Sequence, residues 1–299
     1  MNKKIFSIIC AITCALIWGS AFIAQDQGMD YIGPFTFTFG RLFLGFITLI
    51  PFLLFFELNK NKNIIFKKKN ILSLVFIGVI FSLGNAGQNY ALLYTDVANT
   101  AIFTVFYVIL VPFVSYYFFS KNIHSSVWVS IIVCFFGGIL LSEFNNIQAR
   151  LGDGIAVFTS IFWAFHIVLI AKFLKIFNFP ISIACLQCLF GALFALIPAM
   201  ILENIQISNM ILDGKEIIYA GVLSSGLAIL LQVYGQQNLS PAPVAIIFSL
   251  EGVFASLFGW IILNQFLNEI KIIGIVLILF AVIFSQLAPL YDKKKYGRV

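Results

Sequence analysis

The chain has 299 residues, 61% of them hydrophobic and only 10% charged, a composition too apolar for a water-soluble domain of that length. Its formal charge of +6 does not call for nucleic acid, because the lysines lie between apolar runs and at the chain ends, where membrane topology accounts for them. Cys10, Cys14, Cys134, Cys185 and Cys188 all fall inside apolar runs, which argues against disulfides. The CxxC of Cys185 and Cys188 has no second pair or nearby histidine, so it reads as small-residue packing and no metal or other cofactor is expected.

Apolar runs and their polar breaks predict an all-α polytopic membrane protein with ten transmembrane helices. They cover residues 5–24, 34–56, 71–93, 97–119, 125–142, 154–173, 181–202, 217–236, 242–263 and 270–289. Most hold about twenty residues, the number that crosses the hydrocarbon core of a bilayer. The first exceeds the core of a signal peptide and reads as a retained span.

With the N-terminus inside, cytoplasmic segments carry Lys3, Lys4, Lys60, Lys62, Lys67, Lys68, Lys69, Lys121, Lys172, Lys175, Lys293, Lys294, Lys295 and Arg298. Outer segments carry Arg150, Lys215 and Lys271, and Arg41 lies within a span. This excess predicts both termini on the cytoplasmic side.

Two halves repeat at a displacement of 144 to 146 residues: Trp18 matches Trp163, Pro34 matches Pro180, Gly45 matches Gly191 and Glu57 matches Glu203. Gln88 matches Gln232, Tyr90 matches Tyr234, and Ala98, Ala101 and Ile102 match Ala242, Ala245 and Ile246. Residues 1–146 and 147–299 are therefore expected to form two five-helix units. Five is odd, so the second unit enters the membrane upside down, and inverted repeats are a plan of secondary transporters with the site near the midplane.

The same displacement sets Tyr107 opposite Glu251, each near the middle of the fourth helix of its half. A carboxylate at a helix centre costs roughly 2.5 to 3.5 kcal/mol on insertion scales, so it faces a bundle interior or a wet cavity. Three roles are open to Glu251: a protonation site that couples transport to a proton gradient, a partner for a cationic group of the substrate, or a structural carboxyl that holds helices together.

Certain motifs resemble the EamA-type family of the drug/metabolite transporter superfamily. They are WGSAFIAQ from Trp18 to Gln25, GPFTFTFGR ending at Arg41, AIFTVFYVILVPF from Ala101 to Phe113, and SLEGVFASLFGWIIL from Ser249 to Leu263. The resemblance covers essentially the whole chain. It implies a ten-helix carrier whose third, fourth, eighth and ninth helices line a central cavity, with amino acids or related metabolites as exported cargo. Gly252 stands where the family often has proline, so a fixed kink is not carried over.

Helical spacing sorts the polar residues into stripes. Gly78, Ser82, Asn85 and Asn89 share a face of the third span with Gln88 beside them, and Gly221, Ser225, Ala228, Gln232 and Gly235 share one of the eighth. Thr100, Thr104 and Tyr107 align in the fourth, flanked by Asn99. These stripes read as cavity walls or as interhelical hydrogen bonding.

Arg41, seven residues into the second span, stays charged, so it snorkels outward or pairs with an acidic group or a substrate carboxylate. His166 shares a face with Thr159 and Trp163 and is either a packing residue or a proton relay, while Trp18 and Trp163 wall the pathway or pack. Pro112 frees a carbonyl one turn earlier, near Tyr107 and Val108. Gly137 with Gly138, and Gly274 with Ala281, read as helix contacts or a dimer face.

No GxxxxGK[ST] stands in the sequence, so energy would come from gradients, and no HExxH or GxSG supports an intramembrane enzyme. A channel would need charge rings or a filter motif. The expectation is a non-enzymatic carrier of the bacterial cytoplasmic (inner) membrane that exports a small polar metabolite such as an amino acid, as a monomer or homodimer. The substrate-binding set is Asn85, Gln88, Asn89, Tyr107, Gln232 and Glu251, with proton coupling at Glu251. Arg41, Trp18, Trp163 and His166 are candidates for gating or charge pairing. A channel-like facilitator and an intramembrane enzyme are the alternatives.

Overall fold

A computed structural model describes residues 2–119, 123–141, 150–264 and 266–296, with backbone alone at 60, 61, 98, 263 and 289–296. The expected boundary between residues 146 and 147, the end of the fifth span at 142, and Lys121 and Arg298 lie outside the described residues, as do the side chains of Lys60 and Lys293 to Lys295.

Nine helices among the described residues are long and apolar enough to cross a membrane. They are α1 (Lys3–Gln27), α2 (Pro34–Leu58), α3 (Lys68–Leu92) and α4 (Asn99–Phe119), then α6 (Leu151–Ile176), α7 (Pro180–Leu202), α8 (Gly214–Gln236), α9 (Pro241–Ile262) and α10 (Glu269–Ala288). A shorter apolar helix, α5 (Ser125–Leu141), stands between α4 and α6. Pro34, Pro180 and Pro241 begin α2, α7 and α9, where a proline's missing N–H costs nothing because the first turn has no partner for it.

The solvation pattern is that of a bilayer protein. Phe43, Ile47, Phe55, Leu193, Ile197, Val276, Phe280 and Ile283 face outward, whereas Arg41, Asn85, Gln88, Asn89, His166, Gln232 and Glu251 are buried. Polar groups have no water to bond in hydrocarbon, so they turn inward to one another.

Close approach of helices is set by glycine. A Cβ on Gly45 would meet the Ser225 carbonyl oxygen at 2.8 Å, and one on Gly78 would meet the Gly191 nitrogen at 2.9 Å, which seats α2 against α8 and α3 against α7 in matching fashion. Gly137 and Gly274 meet in the same way, each too near the other's carbonyl for a Cβ, so the glycines expected to make helix contacts join α5 to α10 within the chain.

Helices α2 and α7 run antiparallel and are joined at both ends by carboxylates. Glu57, at the end of α2, accepts from the Ile181 and Ser182 N–H groups (3.0 and 2.7 Å) and the Ser182 hydroxyl (2.6 Å) at the start of α7. Glu203, just past the end of α7, accepts from the Phe35 and Thr36 N–H groups (2.9 and 2.7 Å) and the Thr36 hydroxyl (2.6 Å) at the start of α2. A carboxylate at a helix N-terminus satisfies orphan donors and complements the helix dipole. Because Glu57 and Glu203 are counterparts in the repeat, each caps the helix that its counterpart ends.

Candidate transport site

The fourth and ninth helices are both interrupted partway along their length. The first half of α4 ends at Thr104 and the second begins at Tyr107; α9 runs from Pro241 to Phe248 and resumes at Leu250. At each break the chain tightens into i→i+3 bonding, from Val108 N–H to Val105 O (2.9 Å) and from Gly252 N–H to Ser249 O (3.2 Å). The break in α4 therefore precedes the turn that Pro112 was expected to loosen, and α9 breaks without a proline at position 252.

These breaks deliver Tyr107 and Glu251 to one point. The Tyr107 hydroxyl donates to Glu251 Oε1 at 3.1 Å, and both residues are buried. Around them lies a small cavity. Trp18, Arg41, Asn85, Gln88, Tyr107, Trp163, Gln232 and Glu251 all line it.

Two expected residues stand behind the wall. Asn89 donates to Thr38 Oγ1 (2.9 Å), one turn beyond Asn85 on α3 and rotated toward α2. His166 stacks on Phe81 at 4.8 Å and hydrogen-bonds Gln187 at 2.8 Å, while Gln232 Nε2 reaches its other ring nitrogen at 3.5 Å. Two polar lining residues were not singled out from the sequence: Gln25, which accepts from Gln88 at 3.4 Å, and Ser224. Gln25 lay in the quoted motif and is the signal that could have found it. Ser224 reaches the cavity because residues 219–227 of α8 are wound as a π-helix, a form frequent at functional sites.

Arg41 does not snorkel outward. It is 4% exposed, donating from Nε to Ser225 Oγ (3.0 Å) and from Nη2 to Ser224 Oγ (2.7 Å), and its Nη1 has no hydrogen-bond partner. Two adjacent hydroxyls thus hold one buried guanidinium at the cavity wall, with no acidic side chain bonded to it among the described residues. Trp18 and Trp163 meet with ring centroids 6.1 Å apart; Trp18 Nε1 donates to the Ser224 carbonyl at 3.3 Å, whereas Trp163 Nε1 has no partner.

An outer surface fit for lipid, enclosing a polar cavity at two interrupted helices, defines a multi-pass membrane protein built to handle a solute. The EamA-like transporter family model matches residues 5–143 and again 150–287. The chain belongs to that family, within the drug/metabolite transporter superfamily, and is a membrane transporter that meets the bilayer and a small-molecule substrate.

An uncharacterized transporter of Archaeoglobus fulgidus is 27% identical over 285 residues, covering 95% of this chain and 87% of that one. The uncharacterized transporter YoaV of Bacillus subtilis is 26% identical over 277 residues, 89% of this chain and 92% of the relative. A solved crystal structure superposes with a TM-score of 0.77 at 13% identity, covering 94% of this chain and 96% of that one, a likeness of fold alone.

Proposed function

We propose that the protein is a secondary carrier of the bacterial cytoplasmic membrane that exports a small polar metabolite, an amino acid or a relative, by alternating access. In this reading α5 also crosses the bilayer, residues 1–146 and 147–299 are two inverted five-helix units, both termini are cytoplasmic, and the units rock about the cavity. Support for the inversion comes from α2 and α7, counterparts that run antiparallel and cap each other. No second copy is required by this mechanism.

The observation that carries the reading is the meeting of Tyr107 and Glu251 in the cavity at two broken helices. Asn85, Gln88 and Gln232 contact solute from the walls. Asn89 and His166 act through Thr38 and Gln232, and Glu251 takes a proton from outside as solute is released there and gives it up inside as the next solute binds.

Reconstituted protein should show saturable counterflow of its solute, faster when the compartment receiving it is the more acidic. Glu251→Gln should fold and lose that dependence on the pH gradient. An unchanged dependence in Glu251→Gln would retire the proton site, and flux that never saturates would replace the carrier with a channel.

A further inference from the structure

Three buried polar atoms of cavity-lining residues have no hydrogen-bond partner: Arg41 Nη1, Trp163 Nε1 and Gln232 Oε1. Two of them are donors that cannot become acceptors, since neither guanidinium nor indole nitrogen offers a lone pair. An unpartnered buried donor is costly, and a charged one more so. Arg41 brings a full charge into the bundle, fixed by Ser224 and Ser225 with two of its nitrogens engaged and the third unengaged. Serine hydroxyls orient a guanidinium without neutralising it. The acidic group lining the same cavity is Glu251, whose Oε1 is taken up by Tyr107.

We propose that Arg41 and Trp163 form the anion-binding part of the cavity, and that the transported solute carries a carboxylate whose oxygens accept from Arg41 Nη1 and Trp163 Nε1. An ammonium or hydroxyl on the same solute donates to Gln232 Oε1. This rests on the reading of the cavity as the transport site and narrows it: an α-amino or α-hydroxy acid fits, whereas an amine or a neutral amide leaves the guanidinium unanswered. Arg41 comes from α2 and its repeat counterpart is Gln187, an uncharged side chain bonded to His166, so the guanidinium has no counterpart from the other unit and gives the solute a single orientation.

The test uses purified full-length protein, with the L-amino acids as probes, each beside its decarboxylated amine and its carboxamide, read by thermal shift and by counterflow in proteoliposomes. Acids should stabilise the protein and exchange, and their amines and amides should do neither. Arg41→Gln should weaken binding of the stabilising acid by about tenfold or more, the scale of one charge-assisted hydrogen bond, and Trp163→Phe, which keeps a ring, by roughly threefold or more. If Arg41→Gln does not fold, Trp163→Phe and Arg41→Lys carry the test, the lysine retaining preference for acids at reduced affinity. A wild type that binds amine or amide as tightly as acid, or folded variants that bind acid undiminished, overturns the anion site while leaving the carrier intact. If no acid, amine or amide binds or moves, an amino-acid-sized cargo is wrong and the proposal falls with it.

Discussion

Tyr107 and Glu251 are counterparts in the repeat, yet one is a donor and the other an acceptor, so a symmetric fold has been given an asymmetric centre. Removing the hydroxyl alone should therefore be felt. Tyr107→Phe deletes a buried hydrogen bond to a carboxyl, at about 1 to 3 kcal/mol, and should lower the midpoint of thermal unfolding while Tyr116→Phe, at an exposed tyrosine of the same helix, does not. An unchanged midpoint would mean the bond contributes nothing. Much of this site was legible, because a 3.6-residue period put Asn85 and Gln88 on a face of α3 and Gln232 on a face of α8. What was not legible is how each helix is rotated against its neighbour. Asn89 lies a turn from Asn85 but bonds Thr38, and Arg41 turned inward because two serines awaited it on α8.

The paired helices α2 and α7 show how counterparts in sequence become partners in space. Glu57 and Glu203 matched at one displacement, a signal of repetition that carried no hint of use; only folding showed each carboxylate on the other helix's first turn. Each accepts hydrogen bonds from a serine or threonine hydroxyl and from two backbone groups that would otherwise be orphaned. Glu57→Ala and Glu203→Ala should each cost about 1 to 3 kcal/mol. Lying at opposite ends of the pair without shared partners, their effects should add in the double variant. Unfolding midpoints of the two single variants and the double measure this. A single variant as stable as the wild type would reduce its cap to an incidental contact. The helix breaks were less legible: proline was the guide, but the chain turns at Val105 and Ser249, where packing rather than ring chemistry decides.

The whole molecule is governed by one constraint, that polar backbone and side chains have no partner in lipid, and this made the nine long apolar helices among the described residues readable to within a few residues. The orientation proposed for them rests on charge and on the antiparallel course of α2 and α7, and these two lines of argument are independent. Lys62 follows α2 and Ser208 follows α7 at the repeat displacement of 146, and both are exposed. In an inverted repeat such counterparts lie on opposite faces of the membrane; in a parallel repeat they share one. The native cysteines are all buried, so single substitutions Lys62→Cys and Ser208→Cys can be read against a quiet background with a membrane-impermeant maleimide. In intact spheroplasts Ser208→Cys should label and Lys62→Cys should not, and permeabilisation should expose Lys62→Cys. Labelling of both from outside would end the inversion. The opposite pattern, Lys62→Cys outside and Ser208→Cys inside, would keep the inversion and reverse the assignment of the termini, because the antiparallel pairing is indifferent to which face is which and only the lysine-rich segments choose between them.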